Sequence, residues 1–530
     1  MGARDGSRSR GARHFPDILE NIHFTPGPGS SFSAPLQPMT PQRPHNRFQV
    51  ATFWTFASFI ALAPLPFGLV HTLSQAIFSF ALFALIAWYS LARLPRGPVV
   101  PIEALAPEAT GLFLLLFWIV FHLLPWAPRA WNHPLWIETG TGLGMVISGG
   151  AYLAPGSAMD SLFRLLTYVG VFWLALQWGR DRRYAKRLLA VVAVSGTLYA
   201  LYGLIDIFTG SGQVLWVEKR QGQDVLSSTL INRNSYATLA GLGLLSAVGL
   251  YLAVLAKAMD GRRTGRDRIV NLLHQALGKG APLLTCILVL LAALFLTKSR
   301  AGVSSSLLAL AFLVVFIGLH GKSRSLTTRI AALALPMALL ASFILSGDGW
   351  RMRLAATDLQ GEQRLRAYEQ TWRAIETAPW HGYGPGSFSQ VFPMFADAGS
   401  FNFDKAHNDW LETVFDVGLP AAILWFALLG GLGLRCLVGV FRRRRDRTYP
   451  AVGCSACLLV GIHSLADFSL QIPAVTITFT LLLGVGVGQS WNSPPSPTRL
   501  PGMTATGGTS PDIFESAMDI PFTPDRGVKA

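Results

Sequence analysis

The chain has 530 residues, of which 51% are apolar and only 14% are charged, and its formal net charge is +15. A soluble protein of this length would divide into several domains, but here apolar runs of membrane-spanning length recur along the whole sequence. The positive charge does not require a nucleic-acid partner, because arginine and lysine concentrate between the apolar runs, as they do in loops held on the cytoplasmic side.

The two ends of the chain differ from the rest in composition. Residues 1–47 and 492–530 are rich in Pro, Gly, Ser and Thr. Such segments bury too little apolar surface to fold. We predict a disordered cytoplasmic leader and a disordered cytoplasmic tail.

Between these ends, we predict an all-α polytopic membrane protein with about 12 transmembrane helices. Backbone groups in lipid must be satisfied within the segment, and no stretch alternates like a barrel strand. The four cysteines lie within apolar runs, which favours packing over a zinc or redox site. The predicted spans are 50–70, 73–91, 110–127, 160–178, 188–208, 235–256, 282–297, 301–319, 330–346, 418–441, 450–466 and 473–490.

Basic residues predict the orientation of these spans. With the N-terminus in the cytoplasm, the even-numbered connections carry most of the arginine and lysine clusters between spans, as the positive-inside bias requires. Four polar stretches then fall on the opposite face: 210–234, the turn 298–300, the partly helical loop 347–417 and the turn at Asp467. Arginine on that face runs against the positive-inside bias. It is explained either by a salt bridge within a folded loop or by an anionic ligand.

The turn Lys298-Ser299-Arg300 places two cations between apolar runs with almost no loop. Snorkelling to the interface is the usual explanation for one such residue. Small residues follow Arg300 and allow close approach of a helix or ligand, and its guanidinium can hold two phosphate oxygens together. We therefore predict a phosphate-binding role for Arg300.

The segment Asn232-Arg233-Asn234 opens the sixth predicted span. Asn232 or Asn234 at that position is explained by helix capping. Capping does not explain Arg233, and an arginine at a helix N-terminus creates an anion site. Both interpretations stay open from the sequence.

The long loop contains three features of interest. Arg364, Tyr368 and Trp372 are spaced to share one face of a helix, which also fits an amphipathic helix on the membrane surface. Gly382, Gly384 and Gly386 permit a tight path, but a glycine-rich segment without a P-loop lysine is a weak phosphate signal.

Histidine is the third feature. His407 and Asn408 precede the tenth predicted span, and histidine is well suited to take a proton near neutral pH, although a lone histidine at a helix start is more often structural. His463 and Asp467, four residues apart near a span end, form either a functional pair or a contact that tethers helices.

The joint order of these pieces resembles the O-antigen ligase and polymerase superfamily, bacterial inner-membrane proteins that handle polyprenyl-diphosphate-linked glycans. The resemblance covers 188–491, with 48–187 as additional N-terminal transmembrane helices. It rests on the residues Asn232–Asn234, Ser299–Gly302, Arg364, Gly382–Phe388 and His407–Asn408.

The resemblance implies a glycosyltransferase that acts on the periplasmic face without a cofactor or metal. His407 would be the catalytic base, and Arg300, Arg364 and Arg233 would bind the diphosphate. The supporting residues would be Asn234, Asn408, Gly384, Gly386, His463 and Asp467.

The partners implied are a polyprenyl-diphosphate-linked glycan donor, a glycan or lipid A-core acceptor, the lipid bilayer and polysaccharide assembly proteins. The sequence leaves open whether the protein is a ligase or a polymerase of the same superfamily. Two rival classes also stay open: a 12-span transporter in polysaccharide export and a non-catalytic assembly partner.

Overall fold

The structure, a computed structural model, describes residues 47–124, 128, 131–147, 149–219, 223–259, 265–319, 350–397, 403–443 and 445–491. Residues 1–46 of the predicted leader, the predicted tail 492–530 and the predicted span 330–346 lie outside the described residues. The described chain is almost entirely helical. A small antiparallel hairpin pairs Gln213–Val214 with Val217–Glu218.

The helices are numbered here in chain order. They are α1 (Arg47–Leu62), α2 (Thr72–Arg93), α3 (Ala106–Leu123), α4 (Pro134–Leu143), α5 (Pro155–Gly179), α6 (Arg182–Thr209), α7 (Arg233–Met259), α8 (Arg266–Leu277), α9 (Ala281–Leu296), α10 (Arg300–Leu319), α11 (Trp350–Thr377), α12 (Phe388–Val391), α13 (Asp409–Arg442), α14 (Thr448–His463) and α15 (Pro473–Gly488). Short 3-10 turns precede α3 and α15 and follow α1 and α12.

Seven of the described helices are long and apolar enough to cross a membrane: α2, α3 with its preceding turn, α5, α6, α7, α10 and α13. Part of α8 and the whole of α9 add an eighth if the pair, bent by 65°, is one span. The apolar helices α14 and α15 are shorter, at 16 residues each. The structure thus supports an all-α protein with several membrane spans, and it does not confirm the predicted count of about 12.

Two predicted limits differ from the observed helices. The predicted first span 50–70 ends as a helix at Leu62, and a 3-10 turn follows. The predicted tenth span 418–441 begins earlier, at Asp409, because Asn408 caps the helix. Gly418 then breaks it at φ 77°, ψ 166°, two residues before Pro420. The sequence signal at Gly418 and Pro420 is therefore a kink within α13 rather than its start.

The centre of the described bundle is α15, in which every residue is buried. A helix that is apolar all round belongs in a core. Its glycines bring the backbone of α5 close: a Cβ on Gly484 would lie 2.6 Å from the carbonyl oxygen of Phe172, and one on Gly488 2.9 Å from that of Leu176.

A second helix, α7, is also mostly buried and lies between α10 and α14. A Cβ on Gly241 would meet the Ser306 side chain of α10 and would lie 2.8 Å from Leu459 of α14. Near its start, Ala237 lies against Gly302, where a Cβ would be only 2.5 Å away. The N-termini of α7 and α10 are therefore held together at one end of the bundle.

The predicted extramembrane loop has a small core of its own. Tyr383, Phe388, Phe392 and Phe415 are fully buried and pack against one another between α11, α12 and the first turns of α13. This aromatic cluster fixes α11 and the glycine-rich segment on α13 and so carries the loop's polar residues to a defined place.

Candidate active site

His407 lies immediately before α13 and has a left-handed backbone conformation, φ 52°, which is uncommon for a residue with a side chain. The Tyr368 hydroxyl of α11 donates a hydrogen bond of 3.0 Å to its carbonyl oxygen. The imidazole ring of His407 lies edge-on to the Phe468 ring, with the two ring centroids 5.0 Å apart. The histidine side chain is 26% exposed, so it is held in place but remains accessible.

Asp467 faces this histidine. Its Oδ1 lies 3.5 Å from the buried Nδ1 of His407, an ion-pair distance that is long for a hydrogen bond. Burial raises the pKa of this carboxyl, but His407, the charge of His463 and the Phe468 backbone N–H outweigh burial and hold the pKa below its usual value. An ionised carboxylate in this position is placed to orient the imidazole.

His463 does not form the predicted side-chain contact with Asp467. Its Nδ1 lies 2.8 Å from Oγ1 of Thr238 on α7 and 3.0 Å from Oγ of Ser469. The two residues are close enough to interact electrostatically, yet their side chains have different partners. His463 ties α14 to α7, while Asp467 belongs with His407.

Asn408 and Asp409 attach the start of α13 to the segment after α14. Asn408 is the N-cap, and its Oδ1 accepts a 3.1 Å hydrogen bond from the Leu411 N–H. The Asp409 N–H donates to the Ser464 carbonyl at 2.9 Å, and its carboxylate accepts from the Leu470 N–H at 3.1 Å. These bonds place His407 against Asp467, although 60 residues separate the two in sequence.

Arg233 is the first residue of α7, and its side chain is exposed. The helix start is capped by Asn232, whose Oδ1 accepts from the Asn234 N–H at 2.7 Å. Asn234 is not the cap. Its backbone carbonyl oxygen accepts a 3.4 Å hydrogen bond from the Thr238 hydroxyl, which also contacts Nδ1 of His463. Helix capping therefore explains Asn232 but does not explain why an arginine occupies position 233.

Arg300 is likewise the first residue of its helix, α10, and is exposed. Ser299 caps this helix by accepting from the Gly302 N–H at 3.2 Å. Lys298 is engaged in a 2.6 Å salt bridge with Asp224, whose pKa that bond lowers, with a smaller contribution from Arg233. Arg300 makes no hydrogen bond or salt bridge within the described part of the chain. Of the two cations in this turn, Lys298 is therefore neutralised by a protein carboxylate and Arg300 is not.

Arg364 lies on α11 one turn before Tyr368 and is half-buried. Burial raises the pKa of Tyr368, the charge of Arg364 lowers it, and the charge of Asp467 raises it again. Tyr368 is thus within electrostatic reach of both residues. This brings Arg364 to the same part of the molecule as His407.

The glycines of the loop approach protein atoms rather than open space. Gly384 and Gly386 have φ of +114° and +74°, which residues with side chains rarely adopt. A Cβ on Gly384 would lie 3.1 Å from Tyr152, and the Gly386 N–H donates to Oδ2 of Asp416 at 2.7 Å. Their backbone freedom sets the path of the loop on α13.

Three carboxylates of α13 were not among the predicted site residues. Asp409 and Glu412 are buried, and Asp416 is half-buried. Each accepts from a different loop: Asp409 from Leu470, Glu412 from Ala406 and Asp416 from Gly386. Acidic residues at this spacing on an otherwise apolar helix were the available signal.

A cavity of about 530 Å³ lies beside these three carboxylates. It is bounded by α3, α5, α13, α14 and α15, and of the predicted site residues only Gly386 lines it. His407, Arg233, Arg300 and Arg364 lie outside it. The predicted site and the cavity are therefore neighbouring but separate features.

The structure thus defines a multi-pass membrane protein with a histidine, an opposing carboxylate and two arginine-bearing helix N-termini gathered at one end of its bundle. Among the described residues, no group of His, Cys, Asp and Glu is placed to hold a metal ion. The polar groups present are suited to proton transfer and to binding an anion.

Residues 285–426 match the family model described as O-antigen ligase. The match covers 142 of the 530 residues and supports the resemblance to the O-antigen ligase and polymerase superfamily, whose members are glycan-transferring enzymes. The matched segment contains Arg300, Arg364 and His407, whereas Arg233, His463 and Asp467 lie outside it. No curated protein matches the chain.

Proposed function

We propose that the protein transfers a glycan from undecaprenyl diphosphate to a sugar hydroxyl on the periplasmic face of the inner membrane, in the manner of an O-antigen ligase. The observation that carries this proposal is the environment of His407, which lies in the segment that matches the family. Its side chain is accessible and faces Asp467, and its backbone carbonyl accepts a hydrogen bond from the Tyr368 hydroxyl. The acceptor is either lipid A-core or a growing polysaccharide.

His407 acts as the general base in this reaction. Because its buried Nδ1 is directed at Asp467, Nε2 is the ring nitrogen that takes the proton of the acceptor hydroxyl. The acceptor oxygen then attacks the anomeric carbon, and the bond to the lipid diphosphate breaks. Asp467 stabilises the imidazolium that forms, since its depressed pKa keeps it ionised.

The arginines act on the leaving group. Arg233 and Arg300 are the first residues of α7 and α10, so each is located at a helix N-terminus with free N–H groups and a positive dipole end. As negative charge develops on the departing diphosphate, these cations stabilise it, and Arg364 contributes from α11. The donor is already activated, so no nucleotide is consumed.

A polymerase of the same superfamily would use the same chemistry with a different acceptor. A transporter is less well supported, because the polar groups gather at the ends of helices rather than half-way along them, where transporters bind their substrates. The site therefore favours group transfer over translocation.

The test is transfer by the purified full-length protein from a lipid-diphosphate-linked glycan, with lipid A-core and a second lipid-linked glycan offered as separate acceptors. His407→Ala should lower the rate by roughly 10²–10⁴-fold, the usual contribution of a general base. His381→Ala is the matched control, because His381 belongs to the same loop but its Nδ1 contacts the Gly382 carbonyl instead.

Full activity of His407→Ala would remove the base assignment. Equal losses in both histidine variants would show that the loop, rather than the base, was damaged. The acceptor that supports transfer distinguishes a ligase from a polymerase.

A further inference from the structure

A second cavity, of about 350 Å³, lies between α1, α2, α5 and α6. It is bounded by the start of α1, the ends of α2 and α5 and the start of α6. Its volume lies within the range of small-molecule pockets, roughly 300–1,000 Å³. None of the residues proposed to act in glycan transfer lines it.

This cavity lies at the end of the bundle opposite the candidate active site. Helix α5 connects the two ends: a Cβ on Gly386 of the long loop would lie 2.5 Å from the Ser161 hydroxyl oxygen, whereas Gln177 lines the cavity. Gln177 follows Ser161 by sixteen residues, which corresponds to a rise of about 24 Å along an α-helix. A ligand in this cavity is therefore separate from a donor held at Arg233 and Arg300.

Aromatic side chains form a large part of the cavity wall: Phe48, Trp88, Tyr89, Trp178 and Tyr184. The Tyr89 and Trp178 rings pack edge to face, with centroids 5.1 Å apart. Phe48 of α1 and Trp88 of α2 are 63% and 51% exposed, and their ring centroids are 6.4 Å apart. Tryptophan and tyrosine near a span end are typical of the membrane interface. The cavity thus opens beside two exposed rings at the depth of lipid headgroups.

Two arginines line the same cavity. Arg93 donates from Nε to the Gly97 carbonyl at 3.0 Å, which leaves its two terminal nitrogens for a ligand. Arg96 is exposed and makes no hydrogen bond or salt bridge to any other described residue. The segment that carries Arg96 is fixed on α5, because Val100 exchanges two hydrogen bonds, of 3.0 and 2.9 Å, with the Gln177 side chain.

The charge of this cavity favours an anion. Within the described part of the chain, one carboxylate, that of Asp181, lines it beside the two arginines. Asp181 is the N-cap of α6, and its Oδ1 accepts a 2.7 Å hydrogen bond from the Arg183 N–H. Arg183 and Lys186 are exposed at the start of α6 and add positive charge at this end. A group with a net negative charge is therefore a better match than a zwitterion, whose own cation would be repelled.

We propose that this cavity binds the headgroup of an anionic phospholipid. Arg93 and Arg96 contact the phosphate, since a guanidinium can hold two phosphate oxygens together, and the acyl chains pass the exposed rings of Phe48 and Trp88. Basic pockets between membrane helices recognise anionic headgroups in this way. The aromatic wall would give a free phosphate nothing to contact, so it favours a lipid as the source of the phosphate. This site does not depend on the proposed transfer reaction.

Two pairs of substitutions test the site. Arg96→Gln removes a cation of the cavity, and Arg183→Gln removes an exposed cation of the same end that does not line it. Ala87 and Ala92 are both exposed on α2, but Ala92 lines the cavity and Ala87 does not. Ala92→Phe therefore fills the cavity, and Ala87→Phe adds the same ring outside it.

The experiment is native mass spectrometry of the purified full-length protein, titrated with phosphatidylglycerol and with phosphatidylethanolamine that has the same acyl chains. The wild-type protein should bind phosphatidylglycerol more tightly. Arg96→Gln should weaken this binding by about tenfold, the effect of losing one charge-assisted hydrogen bond. Ala92→Phe should weaken it as well, and Arg183→Gln and Ala87→Phe should leave it unchanged. Inorganic phosphate at the same concentration as the lipid should not compete.

Equal binding of the two lipids by the wild-type protein would overturn the proposal. So would unchanged binding of phosphatidylglycerol in both Arg96→Gln and Ala92→Phe. Equal losses in Arg96→Gln and Arg183→Gln would also overturn it, because they would show a general attraction to a basic surface. Competition by inorganic phosphate would refute a lipid as the ligand.

Discussion

The two ends of the helix bundle hold arginine in opposite ways. At one end, Arg443 follows the C-terminus of α13, is 4% exposed and donates to the Gln489 side chain at 2.8 Å and to the Arg445 carbonyl at 3.1 Å. At the other end, Arg233 and Arg300 are exposed first residues of α7 and α10.

The helix dipole explains the difference. A cation at a helix C-terminus is stabilised, whereas one at an N-terminus is destabilised by typically 0.3–1 kcal/mol. Arg443 therefore has its partners built into the fold. Arg233 and Arg300 oppose the dipole of their own helices, and their position is favourable once an anion binds between the guanidinium and the free N–H groups. The comparison separates structural arginines from arginines that await a ligand.

Among the variants that test this comparison, Arg300→Gln should have the largest effect, because it removes a cation that no described residue neutralises. Transfer should fall by roughly 10²–10³-fold, as when one group that stabilises transition-state charge is lost. The melting temperature should stay the same or rise slightly, because an unfavourable charge leaves the helix start.

Lys298→Gln is the matched control, two residues away in the same turn and already paired with Asp224. It should change transfer little, since exposed salt bridges contribute about 0–1 kcal/mol. Equal losses in Lys298→Gln and Arg300→Gln would contradict the distinction between the two cations. Both variants are compared by initial transfer rate and thermal unfolding.

Arg443→Ala tests the other end. Because several carbonyl and amide oxygens lose their donor, the free energy of unfolding should fall by about 2–3 kcal/mol. Transfer per folded molecule should be unchanged. Denaturation of the purified protein measures the free energy of unfolding, and specific activity measures transfer per folded molecule. A variant that is stable but inactive would contradict a purely structural role for Arg443.

Asp467→Asn should give a pH-dependent effect on stability. The folded-state pKa of Asp467 lies below its usual value, so its carboxylate contributes stability that is fully present above the unfolded pKa of about 4 and is lost as pH falls through the folded pKa. The difference in melting temperature between wild type and variant should therefore shrink as the pH falls below about 4. A difference that does not shrink below about pH 4 would refute an ionised Asp467.

Tyr368→Phe should have the smallest effect. It deletes the hydroxyl that donates to the His407 carbonyl and leaves the ring in place. Losing one such bond is worth about 1 kcal/mol, so transfer should fall about fivefold. The reduction should appear in kcat, because the bond positions His407; a change confined to KM would argue against this role.

Much of the architecture follows from local sequence. Apolar runs predicted most of the helices because the burial of each depends on its own composition. One boundary was wrong because two local signals compete. Gly418 and Pro420 suggested the start of a span, but Asn408 caps the helix ten residues earlier and the helix continues through a kink at Gly418.

The sequence by itself determined where three helices begin. Arg233, Arg300 and His407 each lie next to a helix-capping residue, so their position at a helix start could be predicted. Tertiary structure decided their partners: Asp467 faces His407 rather than His463, and Lys298 is neutralised while Arg300 is not. The reason is physical. Capping and hydrophobic period depend on neighbours along the chain, whereas pairing and burial of charge depend on which distant helices pack together.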